Sequence, residues 1–592
     1  MMRMMKFPGN SQPSATQGVS FSDTTSELKI RLSKWRSHIA LFFFFLIFMC
    51  LIARALWLQV LSTEFLQKQG ESRYARTLEL PATRGKIMDR NGKVLASSIP
   101  VRAIWAIPDD VLSQPKDKLK ELARLLNINE KHLYERLDSD RTFVYLKRQV
   151  EMNDADAILR LGIKGIQARK EYKRYYPEGE VVSHIVGFTN IEDIGQEGME
   201  LASQKTLSGI TGSRRVIKDR LGNIVEDIRA VKEPRDGNDL VLSIDSGIQY
   251  IAYKQLKDAV TLHKAKAGAV VVLDARTGEV LAMANLPTYN PNDRNQRKGA
   301  WLRNRALTDV YEPGSTLKPF TIALGLEKGH ITPQTQIQTA PGKMVIGTAT
   351  IGDSHPHGLL SVSQVLEKSS NVGTAKIALH MQPKDMWEMF TSLGLGMQPE
   401  FGFPGTTAGR VRPYKSWRPV EQATISYGHG IAVSLMQVAR AYMIFARDGD
   451  MEPLSLLRVD QQPASYRVIS EKTARTVRGM LEVAAGPMGT APRAQVPGYR
   501  VAGKTGTSKK LEGNEYVKKY VASFVGFAPA SNPRVIVAVM IDEPSAGKYY
   551  GGDVAAPVFS KIMADTLRAM DVPPDSSVTN IIIPQDGPRE SL

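Results

Sequence analysis

The sequence predicts an α+β chain in three parts: one N-terminal transmembrane helix, an elongated β-rich domain, and a C-terminal domain built on an antiparallel sheet flanked by helices. Three observations carry that prediction. Residues 39–53 form an uncharged, strongly apolar run. Arg90-Asn91-Gly92 between alternating runs is a hairpin signal at the start of the middle region. Strand-like segments at 268–274, 279–283, 499–507, 520–528 and 534–541 bracket a helical centre, as in a sheet with helices on its faces.

A chain of 592 residues is too long for one ordinary domain. Its hydrophobic content of 42% and charged content of 23% are those of a globular protein. The net charge of +17 is spread along the chain with no nucleic-acid motif, which favours a basic surface near anionic lipid or polymer. The single cysteine, Cys50, lies in the apolar run, so an intramolecular disulfide and a cysteine-based zinc site are both excluded.

Residues 38–58 supply the roughly 20 positions a bilayer needs. Arg54 can snorkel at the far end and Trp57 suits the interface. Arg54-Ala55-Leu56-Trp57 is a poor peptidase site, so the span reads as a retained anchor. Lys29, Arg31, Lys34 and Arg36 precede it, which sets residues 1–37 as a cytoplasmic tail and everything after the span outside. The polar leader 1–26 has a disordered composition.

The middle region, 59–238, opens with a short juxtamembrane helix. It continues with strands over 78–98, helical periodicity over 115–138 and 153–161, and a strand over 165–175. The Tyr, Arg and Glu clusters at 174–179 and 195–200, with the turn at 219–222, read as turns and interdomain salt bridges rather than a binding surface. The polar stretch 231–239 marks a boundary. The last domain, 239–572, begins with a strand at 240–244 and a helix from Ser246, and closes with a helix over 556–570. A polar tail, 573–592, carries an apolar patch at 581–583.

Within the last domain, Ser315-Thr316-Leu317-Lys318 follows the turn Pro313-Gly314 and starts an apolar helical run. Ser-x-x-Lys also occurs at Ser26, Ser113 and Ser545, so the match alone carries nothing. Its company does. Ser369-Ser370-Asn371 ends a predicted helix at 362–368, and Lys504-Thr505-Gly506-Thr507 lies in a predicted strand. Together and in this order they match the signature of penicillin-recognising serine enzymes. Ser315 is then the acyl-transfer nucleophile and Lys318 its base, kept neutral by burial and by a second cation, Lys504. Asn371 is placed to hydrogen-bond Lys318 and a substrate amide, and Ser369 to relay a proton to the leaving amine. Backbone N–H groups of Ser315 and Thr507 form the oxyanion hole. Gly506 leaves the strand edge open for substrate to pair with, and Thr505, Thr507 and Lys504 suit a carboxylate. The elbow Gly-x-Ser-x-Gly of a Ser-His-Asp hydrolase is absent. His355 and His357 have no evident carboxylate partner and read as a loop, so neither metal nor cofactor is expected. His429, in Tyr427-Gly428-His429-Gly430, reads equally as a cleft residue or a packed turn.

Nearly the whole chain resembles the class B penicillin-binding proteins. The resemblance rests on the anchor, 84–92, 174–177, 195–200 and the three motifs. Tyr311-Glu312-Pro313-Gly314 and the end of the span, 54–60, are most similar to the division-specific members. It implies a peptidoglycan D,D-transpeptidase of the inner membrane, with a periplasmic catalytic domain acting on stem peptides of lipid II-derived glycan strands. Ser315 would be acylated at D-Ala-D-Ala, and β-lactams would acylate the same serine. Implied partners are the SEDS glycosyltransferase FtsW and divisome proteins such as FtsN and FtsQ-FtsL-FtsB. An elongation-type class B enzyme, a D,D-carboxypeptidase, a β-lactamase-like hydrolase and a membrane-anchored divisome scaffold are the alternatives. A lactamase is disfavoured because no Glu-x-x-Leu-Asn segment lies between Asn371 and Lys504. Residues 486–491 carry part of the family's Gly-Thr-rich loop.

Overall fold

The computed structural model describes residues 34–61, 75–218, 224–461, 464–513 and 515–577. The polar leader 1–26, Lys29, Arg31, the juxtamembrane segment 62–74, the turn 219–222 and the patch 581–583 lie outside the described residues.

One compact unit comprises residues 1–78 and 214–230. Its helix Lys34–Leu56 continues as a π turn, Trp57–Leu61. The stretch Lys34–Val60 is the only described helix long and apolar enough to cross a membrane. Its apolar side chains are exposed all round, as lipid contact requires and a soluble core would not allow. The Arg54 guanidinium lies 4.6 Å over the Trp57 ring, a cation–π pair near the C-terminal end of the helix. Strands Ala75–Leu80, Gly212–Lys218 and Ile224–Lys232 form a three-stranded sheet in that order.

The second unit comprises residues 79–213 and 231–592. Its N-terminal part holds a sheet ordered Val144–Val150, Val94–Ala106, Ile87–Met88, Leu240–Val241, with Ile166–Tyr175 also paired to Val94–Ala106. The Asn-Gly hairpin forms as expected, pairing Ile87 with Ala96 and Met88 with Val94. The helical periodicity becomes Lys116–Leu126, Glu130–Leu137 and Met152–Arg160. Leu119, Leu122, Leu126, Leu133 and Ile158 pack with Ile104 and Leu146 of the sheet. Leu240–Val241 corrects one expectation. It pairs in parallel with Ile87–Met88 and so completes the N-terminal sheet rather than opening the C-terminal one. Its short apolar run is compatible with either sheet, and register decides.

The charged clusters of the middle region prove structural. Glu200 is fully buried and accepts from Arg84 Nε at 2.5 Å and Arg174 Nε at 2.6 Å. The remaining guanidinium protons reach the Glu200 and Gly85 carbonyls at 2.7 Å each. One carboxylate therefore ties together three segments distant in sequence.

The C-terminal part is a five-stranded antiparallel sheet ordered Val280–Leu286, Ala267–Asp274, Val535–Asp542, Glu515–Ala528, Ala502–Glu512. Helices Ser246–Leu262 and Ala556–Ala569 cover one face, where Ile248, Leu256, Phe559 and Ile562 meet Val270, Val272 and Val537. Helices Lys318–Glu327, Leu435–Ala441 and Glu471–Ala485 join the core of the other face. That second core is continuous across the sequence boundary at 238/239: Ile87, Leu95, Tyr176 and Ile185 belong to the same cluster as Val271 and Leu273. Arg90 also pairs with buried Glu279 at 3.1 Å, and Ser246 N donates to Asp89 at 3.2 Å.

Candidate active site

The nucleophile turn is built from the inside outward. Gly314–Leu317 forms a 3₁₀ turn that runs directly into the helix Lys318–Glu327, so Ser315 sits just ahead of the α-helix, as the sequence suggests. Thr316 Oγ1 donates to Pro313 O at 2.8 Å, and the buried Tyr442 hydroxyl donates to Thr316 O at 2.8 Å. Phe320 packs edge-on to Tyr442 at 5.3 Å and stacks on Phe445 at 5.2 Å. A serine hydroxyl on so rigid a base loses little freedom when it reacts.

Ser369 joins the first two motifs. Its Oγ donates to Ser315 Oγ at 3.0 Å, and Lys318 Nζ donates to Ser369 Oγ at 3.1 Å and to its carbonyl. Lys318 and Ser369 are fully buried and Ser315 is 3% exposed. Ser369 adopts φ +59°, a left-handed conformation that costs a non-glycine residue of order 1 kcal/mol or more. The strain aims both its oxygens at Lys318. The motif does not simply end a helix: Ser369 links Val362–Glu367 to the next helix, Asn371–Leu379, and Ser370 is that helix's N-cap. Ser370 Oγ accepts from Gly373 N at 2.9 Å and donates to Asp353 at 2.6 Å, while Val372 N donates to the same carboxylate at 3.0 Å. Asp353 thus adds a charge at a helix N-terminus, where it is favoured. The expected bond from Asn371 to Lys318 gives way to another: Asn371 Nδ2 donates to Gly352 O at 3.0 Å. Ser369, two residues earlier, accepts from Lys318 through both its hydroxyl and its carbonyl.

The third motif lies on the sheet's edge strand, Ala502–Glu512, which among the described residues pairs with Glu515–Ala528 alone and leaves its outer edge open. Lys504 is fully buried and donates to Thr505 Oγ1 at 3.0 Å and Thr490 Oγ1 at 3.3 Å. Thr505 and Thr490 bond each other at 2.9 Å. Thr507 Oγ1 accepts from Gly551 N at 2.9 Å. Gly506 has a different reason than the sequence suggests. A Cβ there would stand 2.5 Å from Ser523 Oγ, 2.8 Å from Pro313 O and 2.9 Å from Thr316 Cγ2. The missing side chain lets the strand press against the nucleophile turn, and the open edge follows from sheet order. Gly506→Ala should push strand and turn apart by a fraction of an ångström and lower acylation by about 100-fold. Stopped-flow acylation would read it, and a loss under threefold would refute this packing role.

Two family models match the chain. The penicillin binding protein transpeptidase domain matches residues 268–564, and the penicillin-binding protein dimerisation domain matches residues 79–242. The chain belongs to the class B penicillin-binding proteins. It is 44% identical to the probable peptidoglycan D,D-transpeptidase PenA of Neisseria gonorrhoeae, over 90% of this chain and 92% of the relative. It is 42% identical to peptidoglycan D,D-transpeptidase FtsI of Escherichia coli K12, over 89% of this chain and 91% of that one. The apo TP domain of penicillin-binding protein 3 from Burkholderia pseudomallei superposes with TM-score 0.53 at 52% identity, covering 56% of this chain and 97% of that chain.

In this class B penicillin-binding protein the turn 427–430 is a fourth wall of the site, beyond what its sequence could show. Gly428 lies flush on the nucleophile turn: a Cβ there would fall 2.2 Å from Gly314 O. His429 meets Tyr427 edge-on at 5.2 Å and stacks with Tyr516 at 6.2 Å. Tyr516 in turn donates to Glu312 at 3.0 Å, and Gly430 N donates to the same carboxylate at 2.7 Å. Burial raises the Glu312 pKa. Thr490, Asp353, Glu312 and Tyr516 are site-forming residues that motif reading missed. Thr490 left a signal in the partial Gly-Thr-rich loop at 486–491, and Glu312 in the stretch Tyr311-Glu312-Pro313-Gly314. His355 meets Ser354 Oγ at 3.1 Å in a loop, and no metal-binding cluster of His, Cys, Asp or Glu occurs among the described residues.

Burial, then Lys318 and Lys509, holds the His429 pKa down to about 4; burial does the same for His184, whose ring donates to Trp301 O at 2.8 Å. Both folded values lie below the unfolded value of about 6.5. The unfolded chain therefore binds more protons in between. The stabilisation is complete above about pH 6.5 and is lost as pH falls towards 4, by up to about 1.4 kcal/mol per pH unit and histidine. Denaturant unfolding between pH 7.5 and 4.5 should show His429→Gln with a shallower acid slope than the parent. An unchanged slope would refute it.

Proposed function

We propose that this protein is a D,D-transpeptidase that cross-links septal peptidoglycan through a Ser315 acyl-enzyme. The observation that carries the reading is the buried chain Ser315 Oγ, Ser369 Oγ, Lys318 Nζ, with links of 3.0 and 3.1 Å, beside an open strand edge. A stem peptide adds to that edge as an extra strand, and its penultimate D-Ala carbonyl meets Ser315. With Lys318 neutral, the Ser315 proton moves to the amine, directly or through the Ser369 hydroxyl, as the oxygen attacks. Backbone N–H groups of Ser315 and Thr507 stabilise the oxyanion, an effect worth about 10²–10³ per donor. Collapse breaks the C–N bond, and the Lys318 proton reaches the departing D-Ala nitrogen through Ser369. Lys504, Thr505 and Thr507 hold the terminal carboxylate, and Asn371 positions the substrate amide. A β-lactam, closing the same geometry in a ring, acylates Ser315 and stays.

In this reading residues 1–37 are cytoplasmic, 38–58 cross the inner membrane, 59–238 form a non-catalytic pedestal and 239–572 the periplasmic catalytic domain. FtsW, FtsN and the FtsQ-FtsL-FtsB complex are the proposed partners. The similarity to FtsI favours septal over lateral wall synthesis. The test is acylation by labelled penicillin together with depletion in the host. A long-lived adduct and filamentous cells are expected. Rapid adduct turnover would make it a hydrolase, round cells would make it elongation-type, and rescue by Ser315→Ala would make it a scaffold.

A further inference from the structure

A second cleft adjoins the nucleophile turn and is not used by the chemistry above. It encloses about 470 Å³, within the range of sites for small ligands and peptide segments. Tyr311, Val521 and Met540 lie among its apolar lining, and Arg410, Arg412 and Lys509 among its cations. Its other end is Glu312, Gly430 and Tyr516, the group that walls the site around His429. Glu312, one of its lining residues, precedes Ser315 by three positions.

The charge in this cleft is one-sided. Each lining carboxylate is already matched. Asp309 accepts from Arg303 at 2.5 Å and Arg305 at 2.7 Å. Asp542 accepts from Lys510 at 2.9 Å, which also pairs with Glu543 at 2.8 Å. Glu312 accepts from Gly430 N and the Tyr516 hydroxyl. Arg410, Arg412 and Lys509 have no carboxylate partner among the described residues; Arg410 and Lys509 are exposed and Arg412 is half-buried. Unmatched guanidinium groups over an apolar floor suit an extended ligand that carries carboxylates.

We propose that this cleft seats the acceptor, an amine-bearing stem peptide with free carboxylates, and that Arg410 and Arg412 select it by charge. The proposal rests on the transpeptidase reading, which requires a second peptide to enter after D-Ala leaves. The bound acceptor's amine attacks the Ser315 ester carbonyl, the C–O bond to Ser315 breaks, an amide forms, and the amine's proton returns to the serine oxygen through Lys318. Water, the competing nucleophile, needs no cleft.

The test uses full-length protein in detergent and the partition of one acyl-enzyme between transfer and hydrolysis, a ratio insensitive to acylation rate. The donor is a thioester of an acyl-D-alanyl peptide. The acceptors are two synthetic amine-bearing tripeptides of one sequence, with carboxylates free or amidated. Arg410→Gln with Arg412→Gln should lower the transfer ratio about tenfold for the acidic acceptor and under twofold for the amidated one. In the parent protein, raising salt from about 0.05 to about 0.3 M should weaken the acidic acceptor alone, which needs no variant to fold. Equal effects on both acceptors, or none, would overturn the proposal. Failure of penicillin to label the parent, or labelling of Ser315→Ala, would instead overturn the transpeptidase reading.

Discussion

Ser315→Ala will abolish labelling by penicillin and lower D-Ala release by roughly 10⁴-fold or more, with little change in stability. The asymmetry follows from the site. The hydroxyl is one end of a single bond from Ser369, so its removal costs about 1 kcal/mol. The turn around it is held by other groups: Thr316 to Pro313, Tyr442 to Thr316, and the Phe320, Tyr442 and Phe445 rings. Everything that positions Ser315 remains, and only the hydroxyl is gone. Adduct mass spectrometry and thermal unfolding on one preparation would check both halves. An adduct on another residue would remove Ser315 from its role. A large fall in melting temperature would show that the hydroxyl holds the turn together.

Glu200→Gln should destabilise the second unit by roughly 3–5 kcal/mol. Glu200 is fully buried and compensates two guanidinium groups that are themselves almost wholly buried. Neutralising it leaves a surplus of positive charge without water, and the Arg174 bonds to the Gly85 carbonyl cannot offset that. An exposed pair such as Lys384 with Glu388, at 3.6 Å, should by contrast change stability by under about 1 kcal/mol when broken. Denaturant unfolding of both variants would compare them. A loss below about 1 kcal/mol for Glu200→Gln would show that water reaches the cluster. Replacing Arg84, Arg174 and Glu200 together with apolar residues of similar size should recover most of the loss, because no uncompensated charge remains.

These two residues also mark the limits of sequence reading. The grouping of Ser315 with Lys318 and Ser369 was legible because a hydroxyl, an amine and an edge strand each leave a short pattern in the chain. Glu200 was visible only as one member of a Tyr, Arg and Glu cluster. Whether such a cluster is a binding surface or a buried tie depends on which segments fold over it, and no local pattern encodes that. The apolar N-terminal span, the Asn-Gly hairpin and the individual strands of the C-terminal sheet were legible because each is dictated by residues close in sequence, whereas the order of those strands joins Ala267–Asp274 to the distant Val535–Asp542. Leu240–Val241 was not, because its partner Ile87–Met88 lies some 150 positions away.

By itself, then, the sequence determined the anchor, the order of elements and the three motifs, all set by local polarity, periodicity and spacing. Only the tertiary structure decided that Ser369 binds Lys318 through both its oxygens, that Gly506 lets its strand press on the turn 313–316, and that His429 packs beside Tyr516, which bonds Glu312. Each of these is a contact across tens to hundreds of residues. Close packing selects such contacts among many that the same side chains could make.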